Sequence, residues 1–251
     1  MDPVKVIPCL DIKGGRVVKG IKFVELRDAR DPAEAAAAYC GQGADEVVFL
    51  DIAATVENRK TRLEWVKRVA KAVTVPFVVG GGIGSIEDIE QLFALGVSKV
   101  SINTAAVRNP DLVQDASDTF GPEKIVVAID AEKGEEGFEV LISGGNKRAG
   151  IELVEWAQQV EDLGAGEILL TSKDADGTRD GYDIPMTLAV TGAVSIPVTA
   201  SGGCGKLEHL VQAVRDAGAS AVLAASVFHF GDFTVRQAKE YLKSHGIPVE
   251  L

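Results

Sequence analysis

An α/β fold, a (β/α)8 TIM barrel built from two duplicated half-barrels at approximately residues 1–120 and 121–251, is what this sequence predicts, and three observations carry the prediction. Eight short apolar runs rich in valine and isoleucine alternate with helical patterns along all 251 residues. Such runs suit parallel strands buried on both faces. Two glycine clusters, Val79-Gly80-Gly81-Gly82-Ile83-Gly84 and Ala200-Ser201-Gly202-Gly203-Cys204-Gly205, each follow a run introduced by proline. Gly81, Gly82 and Gly84 pair with Gly202, Gly203 and Gly205 at a constant offset of 121, as Pro76 does with Pro197. A doubly wound open sheet accommodates the strands but leaves a repeat over the whole chain unexplained.

The expected strands are 4–10, 46–50, 76–79, 99–102, 124–129, 167–171, 197–201 and 220–225. Helices are expected at 33–43, 61–72, 86–95, 111–120, 151–163, 184–191, 207–217 and 235–245. Asp31-Pro32 and Asn109-Pro110 place an N-cap side chain before proline at a first helical position. Two connections, 12–30 and 131–150, are longer than barrel loops usually are and occupy equivalent places in the repeat; long loops on a barrel rim tend to carry function. No linker or second domain stands out.

A hydrophobic share of 46% is ample for a packed core. A net charge of −11 argues against nucleic-acid or anionic-membrane partners, while leaving room for a local phosphate site. Cys9, Cys40 and Cys204 form no disulfide framework or metal spacing, which suggests a reducing compartment. The stretch Met1-Asp2-Pro3-Val4-Lys5 reads as neither a secretory signal nor a membrane span, so a cytoplasmic location is expected. No metal and no cofactor are expected, because His209, His229 and His245 are too scattered to form a ligand cluster or to partner Cys9, which reads as a core filler.

Asp11 ends the first strand and Asp130 the fifth, and these strands lie opposite each other in an eight-stranded barrel. Facing carboxylates at the C-terminal mouth form an acid–base pair when their environments separate their pKa values; the alternative is that each caps its own loop. Glycine runs after strands let backbone N–H groups converge on an anion, which gives two expected phosphate cups; tight turns are the plainer reading. Lys19, in the first long connection, brings a positive charge over a bound phosphate or is simply solvated. Thr171, Asp174 and Asp176 orient substrate hydroxyls or form an Asx turn. Asn103 and Ser201 are similarly placed. At the opposite end, Lys5, Glu46, Lys99 and Glu167 each open a strand where bulk is usual; they form either a neutralised ring around the axis or ordinary surface charges.

Taken together, the residues closely resemble one family, the cyclase subunit of imidazole glycerol phosphate synthase in histidine biosynthesis. The resemblance runs end to end and is carried by Cys9-Leu10-Asp11-Ile12-Lys13-Gly14-Gly15-Arg16-Val17-Val18-Lys19-Gly20, Phe49-Leu50-Asp51-Ile52, Gly80-Gly81-Gly82-Ile83, Ser101-Ile102-Asn103-Thr104-Ala105-Ala106, Ala128-Ile129-Asp130, Asp174-Ala175-Asp176-Gly177-Thr178, Ala200-Ser201-Gly202-Gly203 and Ala224-Ala225-Ser226-Val227-Phe228. It implies a lyase that uses ammonia to convert a bisphosphorylated formimino-carboxamide ribonucleotide into imidazole glycerol phosphate and aminoimidazole carboxamide ribonucleotide. By the same resemblance Asp11 and Asp130 are catalytic. Gly82, Asn103 and Thr104 hold one phosphate, and Gly203, Ala225 and Ser226 hold the other, with Lys19, Thr171, Asp176 and Ser201 around the substrate. Lys5, Glu46, Lys99 and Glu167 form an ammonia gate facing a glutaminase subunit docked at the N-terminal end. Three positions depart from the family pattern: Lys5 stands where arginine is common, Lys124 where apolar residues are frequent, and Ser98 where aspartate often faces the glutaminase. The segment 140–146 also differs from the family's usual loop. The preceding isomerase of the same pathway shares the two aspartates and two cups, but the long first connection and the gate charges favour the cyclase. A non-catalytic phosphate-binding scaffold that activates a glutaminase is the reading from another class.

Overall fold

The structure, a computed structural model, describes residues 2–21, 24–135 and 137–251, and their side chains except those of 19–29. The first half runs β1 (Lys5–Lys13), β2 (Arg16–Ile21), β3 (Val24–Arg30), α1 (Pro32–Gly41), β4 (Val47–Asp51), α2 (Leu63–Ala70), β5 (Phe77–Gly80), α3 (Ile86–Phe93), β6 (Lys99–Ile102), α4 (Thr104–Arg108) and α5 (Asp111–Phe120). The second runs β7 (Ile125–Lys133), β8 (Phe138–Ile142), β9 (Lys147–Glu152), α6 (Leu153–Asp162), β10 (Glu167–Ser172), α7 (Ile184–Thr191), β11 (Val198–Ser201), α8 (Leu207–Arg215), β12 (Ala221–Ala224), α9 (Ser226–His229) and α10 (Val235–Ser244).

Eight strands pair in parallel around a closed circuit, β1-β4-β5-β6-β7-β10-β11-β12 and back to β1. Closure leaves the circuit without an edge. The molecule is a (β/α)8 TIM barrel. In the circuit β1 and β7 are four places apart, so they stand opposite each other.

The two-residue period of a strand sorts each barrel strand into two faces. In β1, Val6, Leu10 and Ile12 enter the outer layer under the helices, while Ile7 and Cys9 point into the barrel. In β7, Ile125, Val127 and Ile129 go outward and Val126 inward. The outer layer is the larger core and includes Trp156, Tyr39, Leu92 and an edge-to-face pair of Phe49 and Phe77 with ring centres 6.1 Å apart. The inner layer is a plug of Ile7, Cys9, Val48, Val78, Val126, Leu169, Ala221 and Leu223. An interior so filled is a packed core with a polar rim at each end.

Local chemistry sets the helix starts. Asp31 accepts from the N–H groups of Ala33 and Glu34, with Pro32 in the first turn as expected. Ser85 caps α3 by accepting from Asp88 N, and Thr234 with Gln237 forms a reciprocal capping box on α10. Asn109 does not cap α5; it closes α4, and Pro110 precedes α5 without a side-chain cap. Residues 151 and 152, expected to be helical, belong to β9, and Glu152 caps α6.

The two long connections are not irregular loops. Each barrel strand that leads into one, β1 and β7, runs on past the rim and folds back as antiparallel strands, β2 with β3 and β8 with β9. The first reversal, Ile12 against Val17 and Lys13 against Arg16, turns on Gly14 and Gly15, both at positive φ (60° and 77°). A two-residue turn that follows strand twist demands that geometry, and glycine adopts it without strain. The halves thus repeat one plan, each with a rim hairpin extension after its first barrel strand and a short helix after its fourth. That plan is compatible with the expected duplication.

Candidate active site

The C-terminal ends of the barrel strands surround a cavity of about 350 Å³. Its walls bring together Asp11, Asp130, Asn103, Thr104, Thr171, Asp176, Ser201, Gly203, Ala225 and Ser226. Gly82 lies in an adjoining cavity that shares Gly81, Asn103 and Thr104 with the first. Of the residues expected at this end, only Lys19 lies outside the described side chains.

Asp130 is a strongly perturbed carboxyl of the rim. Burial pushes it up to about 7, the negative charges of Asp176 and Asp11 push the same way, and Lys173 pulls against them. Asn103 also opposes the rise: its Nδ2 donates to Asp130 Oδ2 at 3.0 Å. Asn103 therefore positions the carboxylate directly, a role separate from the expected phosphate contact. Its Oδ1 is buried and, like Ser101 Oγ nearby, has no hydrogen-bond partner among the described residues. Buried acceptors and hydroxyls left this way in a cavity wall invite a polar ligand. Across the barrel, Cys9 Sγ donates to Asp11 Oδ1 at 3.4 Å, so Cys9 is more than a core filler. Asp176, 7% exposed, is a third carboxyl in the wall. Asp174 belongs elsewhere: its Oδ2 accepts from Lys133 N at 2.9 Å and braces the extension of β7.

The glycine clusters sit on the same rim in matching surroundings. Gly81 has φ 94° and Gly202 φ 90°. A Cβ on Gly81 would overlap the carbonyl of Asp51, and one on Gly202 would come within 2.8 Å of the carbonyl of Ser172. Gly82 and Gly203 are equally tight: a Cβ would lie 2.7 Å from Arg59 O in the first case and on top of the Gly181 carbonyl in the second. Both clusters therefore need glycine for conformation and for space. A side chain on the following helix fixes the last glycine of each. Gly84 N donates to Asp88 Oδ2 at 3.1 Å, and Gly205 N donates to His209 Nδ1 at 3.2 Å. Helical periodicity alone places His209 on a helix; its equivalence to Asp88 at offset 121 is the signal in the sequence for its role. Thr104 Oγ1 accepts from Ser143 N at 2.9 Å, so the turn between β8 and β9 is tied to the start of α4 and the Thr104 hydroxyl proton stays available.

The N-terminal end joins the four charges expected there. Lys99 Nζ lies 2.9 Å from Glu46 and 2.7 Å from Glu167, and Lys5 Nζ lies 3.7 Å from Glu46. Thr199 Oγ1 donates to Glu167 Oε1 at 2.7 Å, a member of the cluster that sequence reading missed. Glu46 is 2% exposed; burial and the adjacent Glu167 push its carboxyl upward against the pull of Lys99 and Lys5. Burial works against the charge of Lys99, but Glu167 and Glu46 outweigh it and hold the ammonium above the ordinary lysine range. Two of the positions that depart from the family pattern have local roles. Ser98 Oγ accepts from Phe77 N at 3.1 Å, and Lys124 lies over the ring of Phe93, 5.8 Å from its centre.

A closed barrel with polar and titratable side chains gathered at the C-terminal ends of its strands defines a barrel enzyme. The chain matches the family described as histidine biosynthesis protein over residues 5–234, and it belongs to that family. It is thus a TIM-barrel enzyme of histidine biosynthesis. Among the described residues, no helix is long and apolar enough to cross a membrane, and no group of three or more His, Cys, Asp or Glu is placed to hold a metal ion.

Proposed function

We propose that this chain is the cyclase of imidazole glycerol phosphate synthesis, a cytoplasmic lyase that joins ammonia to a bisphosphorylated formimino-carboxamide ribonucleotide. Its products are imidazole glycerol phosphate and aminoimidazole carboxamide ribonucleotide, with the oxygen that the ammonia nitrogen replaces leaving as water. The observation that carries this reading is the placement of Asp130, a carboxyl titrating near neutrality, on the strand opposite Asp11 in one cavity flanked by two glycine turns. A substrate with a phosphate at each end requires two separated anion sites with reactive groups between them. Gly82, Asn103 and Thr104 bind one phosphate, and Gly203, Ala225 and Ser226 bind the other, largely through backbone N–H groups. Thr171, Asp176 and Ser201 hold substrate hydroxyls, and Lys19 covers a phosphate.

Asp130 acts as base when ammonia adds, since a group with pKa near the working pH both takes and returns a proton readily. Asp11 acts as acid in cleavage and ring closure. Ammonia arrives from a glutaminase docked on the N-terminal face. It passes when Lys99 leaves Glu46 and Glu167, then crosses the aliphatic plug around Ile7, Val48 and Val126, which disfavours the charged ammonium ion. The half-barrels 1–120 and 121–251 descend from a duplication, which accounts for two matching cups on one rim. Neither nucleic acid nor a membrane is a partner, and the reaction needs no cofactor.

Two experiments separate this reading from its rivals. Asp130→Asn abolishes most product formation if the chain is the cyclase and leaves it unchanged if the chain is a phosphate-binding scaffold. Isomerisation of the aldose precursor without any ammonia-dependent product would instead assign the preceding isomerase step.

A further inference from the structure

The walls of the first glycine turn come from two segments that need not stay together. One is the end of β4, where the Asp51 carbonyl packs against Gly81. The other is residues 59–61: the Arg59 carbonyl and Thr61 N press on Gly82, and Thr61 Oγ1 donates to the Gly81 carbonyl. A side-chain fork joins these walls. Arg59 Nη1 and Nη2 donate to Asp51 Oδ2 and Oδ1 at 2.5 and 2.8 Å, a bidentate pair whose carboxylate belongs to a residue only 1% exposed. Arg59 Nε donates to Glu57 Oε2 at 2.6 Å and Nη1 also reaches Lys60 O at 3.2 Å, so most of its donors are engaged within the protein. The guanidinium lies over the indole of Trp65, 5.4 Å from the ring centre. The same indole packs on Gly15, where a Cβ would come within 3.0 Å of its Nε1.

Among the described residues, no such bidentate fork serves the second turn. Ser172 stands where Asp51 does, at offset 121, and donates to Asp183 Oδ2 at 3.2 Å; the turn is closed by Gly181 N donating to Gly203 O at 2.9 Å. Arg179, whose carbonyl and Cβ wall Gly205, pairs through one nitrogen with Asp232, so among the described residues the bidentate fork that ties two walls together belongs to the first cup.

We propose that the Asp51–Arg59 fork is a positioning device that holds the two walls of the first phosphate cup at binding width, with Trp65 linking it to the turn between β1 and β2. The proposal rests on the reading of that turn as a phosphate site. It assigns Arg59 to building the cup and not to touching the phosphate.

The test is a titration of the 15N-labelled chain with inorganic phosphate, read at the amides of Gly82 and Thr104 for one cup and of Gly203 and Ser226 for the other. Arg59→Lys keeps the charge and replaces the planar fork by a point charge. The expected result is phosphate binding weakened about tenfold or more at the first pair and less than about twofold at the second, the selectivity that a local misplacement produces. Asp51→Asn, which keeps the side-chain volume, is expected to give the same one-sided loss. Unchanged affinity at the first pair overturns the proposal; so does equal weakening at both, which would make the fork a general stabiliser. An unaltered chain that ignores phosphate at both pairs refutes the phosphate reading itself, an outcome distinct from any result with the variants. With Trp156→Phe, Trp65 is the remaining tryptophan of two. Its emission should respond to phosphate while Arg59 is present and not in Arg59→Lys; a silent Trp65 in both removes it from the device.

Discussion

Removing the Asn103 side chain should move the pH dependence of catalysis in a direction that the structure dictates. Asp130 titrates at about 7 with Asn103 Nδ2 donating to its carboxylate. That bond favours the charged form, so its loss raises the pKa further. A hydrogen bond to a charged group contributes about 1.5–3 kcal/mol. At about 1.4 kcal/mol per pH unit, Asn103→Ala should shift the titration up by about one to two units. With Asp130 as base, the unaltered chain's ammonia-driven kcat, measured at constant free ammonia, rises with pH through about 7 and then levels. In Asn103→Ala the same rise falls between about pH 8 and 9. Isotope-edited infrared spectra of the Asp130 carboxyl supply the second readout, since they follow ionisation without turnover. A variant inflection at or below that of the unaltered chain would refute the reasoning, as would an unaltered profile with its inflection near 4, the ordinary carboxylate range.

Asp130→Asn should also alter stability. Because the folded pKa lies above the ordinary aspartate value, ionisation is resisted in the folded state, and the destabilisation grows between about pH 4 and 7 and is complete above. The variant should melt higher than the unaltered chain at pH 8 and close to it at pH 4; calorimetry at both pH values checks this, and an advantage confined to pH 4 would contradict it. Lys99→Met leaves Glu46 and Glu167 buried without their main cation and should lower stability by about 3 kcal/mol at pH 8 by urea unfolding. The loss should shrink at lower pH, because burial and the adjacent Glu167 already push the Glu46 carboxyl upward toward its neutral form; an equal loss at all pH values argues against charge as the cause. Gly203→Ala, placing a Cβ against the Gly181 carbonyl at φ 98°, should cost about 2 kcal/mol or more in the same assay and weaken phosphate binding at that turn.

The barrel was legible because its evidence is local. Each barrel strand is a short apolar run, and the two glycine clusters repeat at one spacing. The charge cluster at the N-terminal end left its mark for the same reason, since Lys5, Glu46, Lys99 and Glu167 interrupt apolar runs at their starts. What stayed hidden depends on neighbours that only closure supplies. The hydrogen bond from Asn103 to Asp130 follows from β6 lying beside β7, and no spacing in the chain announces that an amide will brace a carboxylate 27 positions away. In the sequence the hairpin extensions resemble loops because Arg16, Lys19 and several glycines dilute the apolar alternation, while α4 and α9 are too short to show a helical period. The pairing of Asp51 with Arg59 has no signal in the sequence, since it appears only when the segment after β4 folds back over the glycine turn.

The most direct test of the account is turnover of the bisphosphorylated formimino ribonucleotide by the isolated chain with ammonium salt at pH 8, with products separated by chromatography. The account predicts imidazole glycerol phosphate and aminoimidazole carboxamide ribonucleotide in equal amounts, at a rate that rises with free ammonia. No ammonia-dependent product, from a folded chain that binds phosphate at both glycine turns, would contradict it.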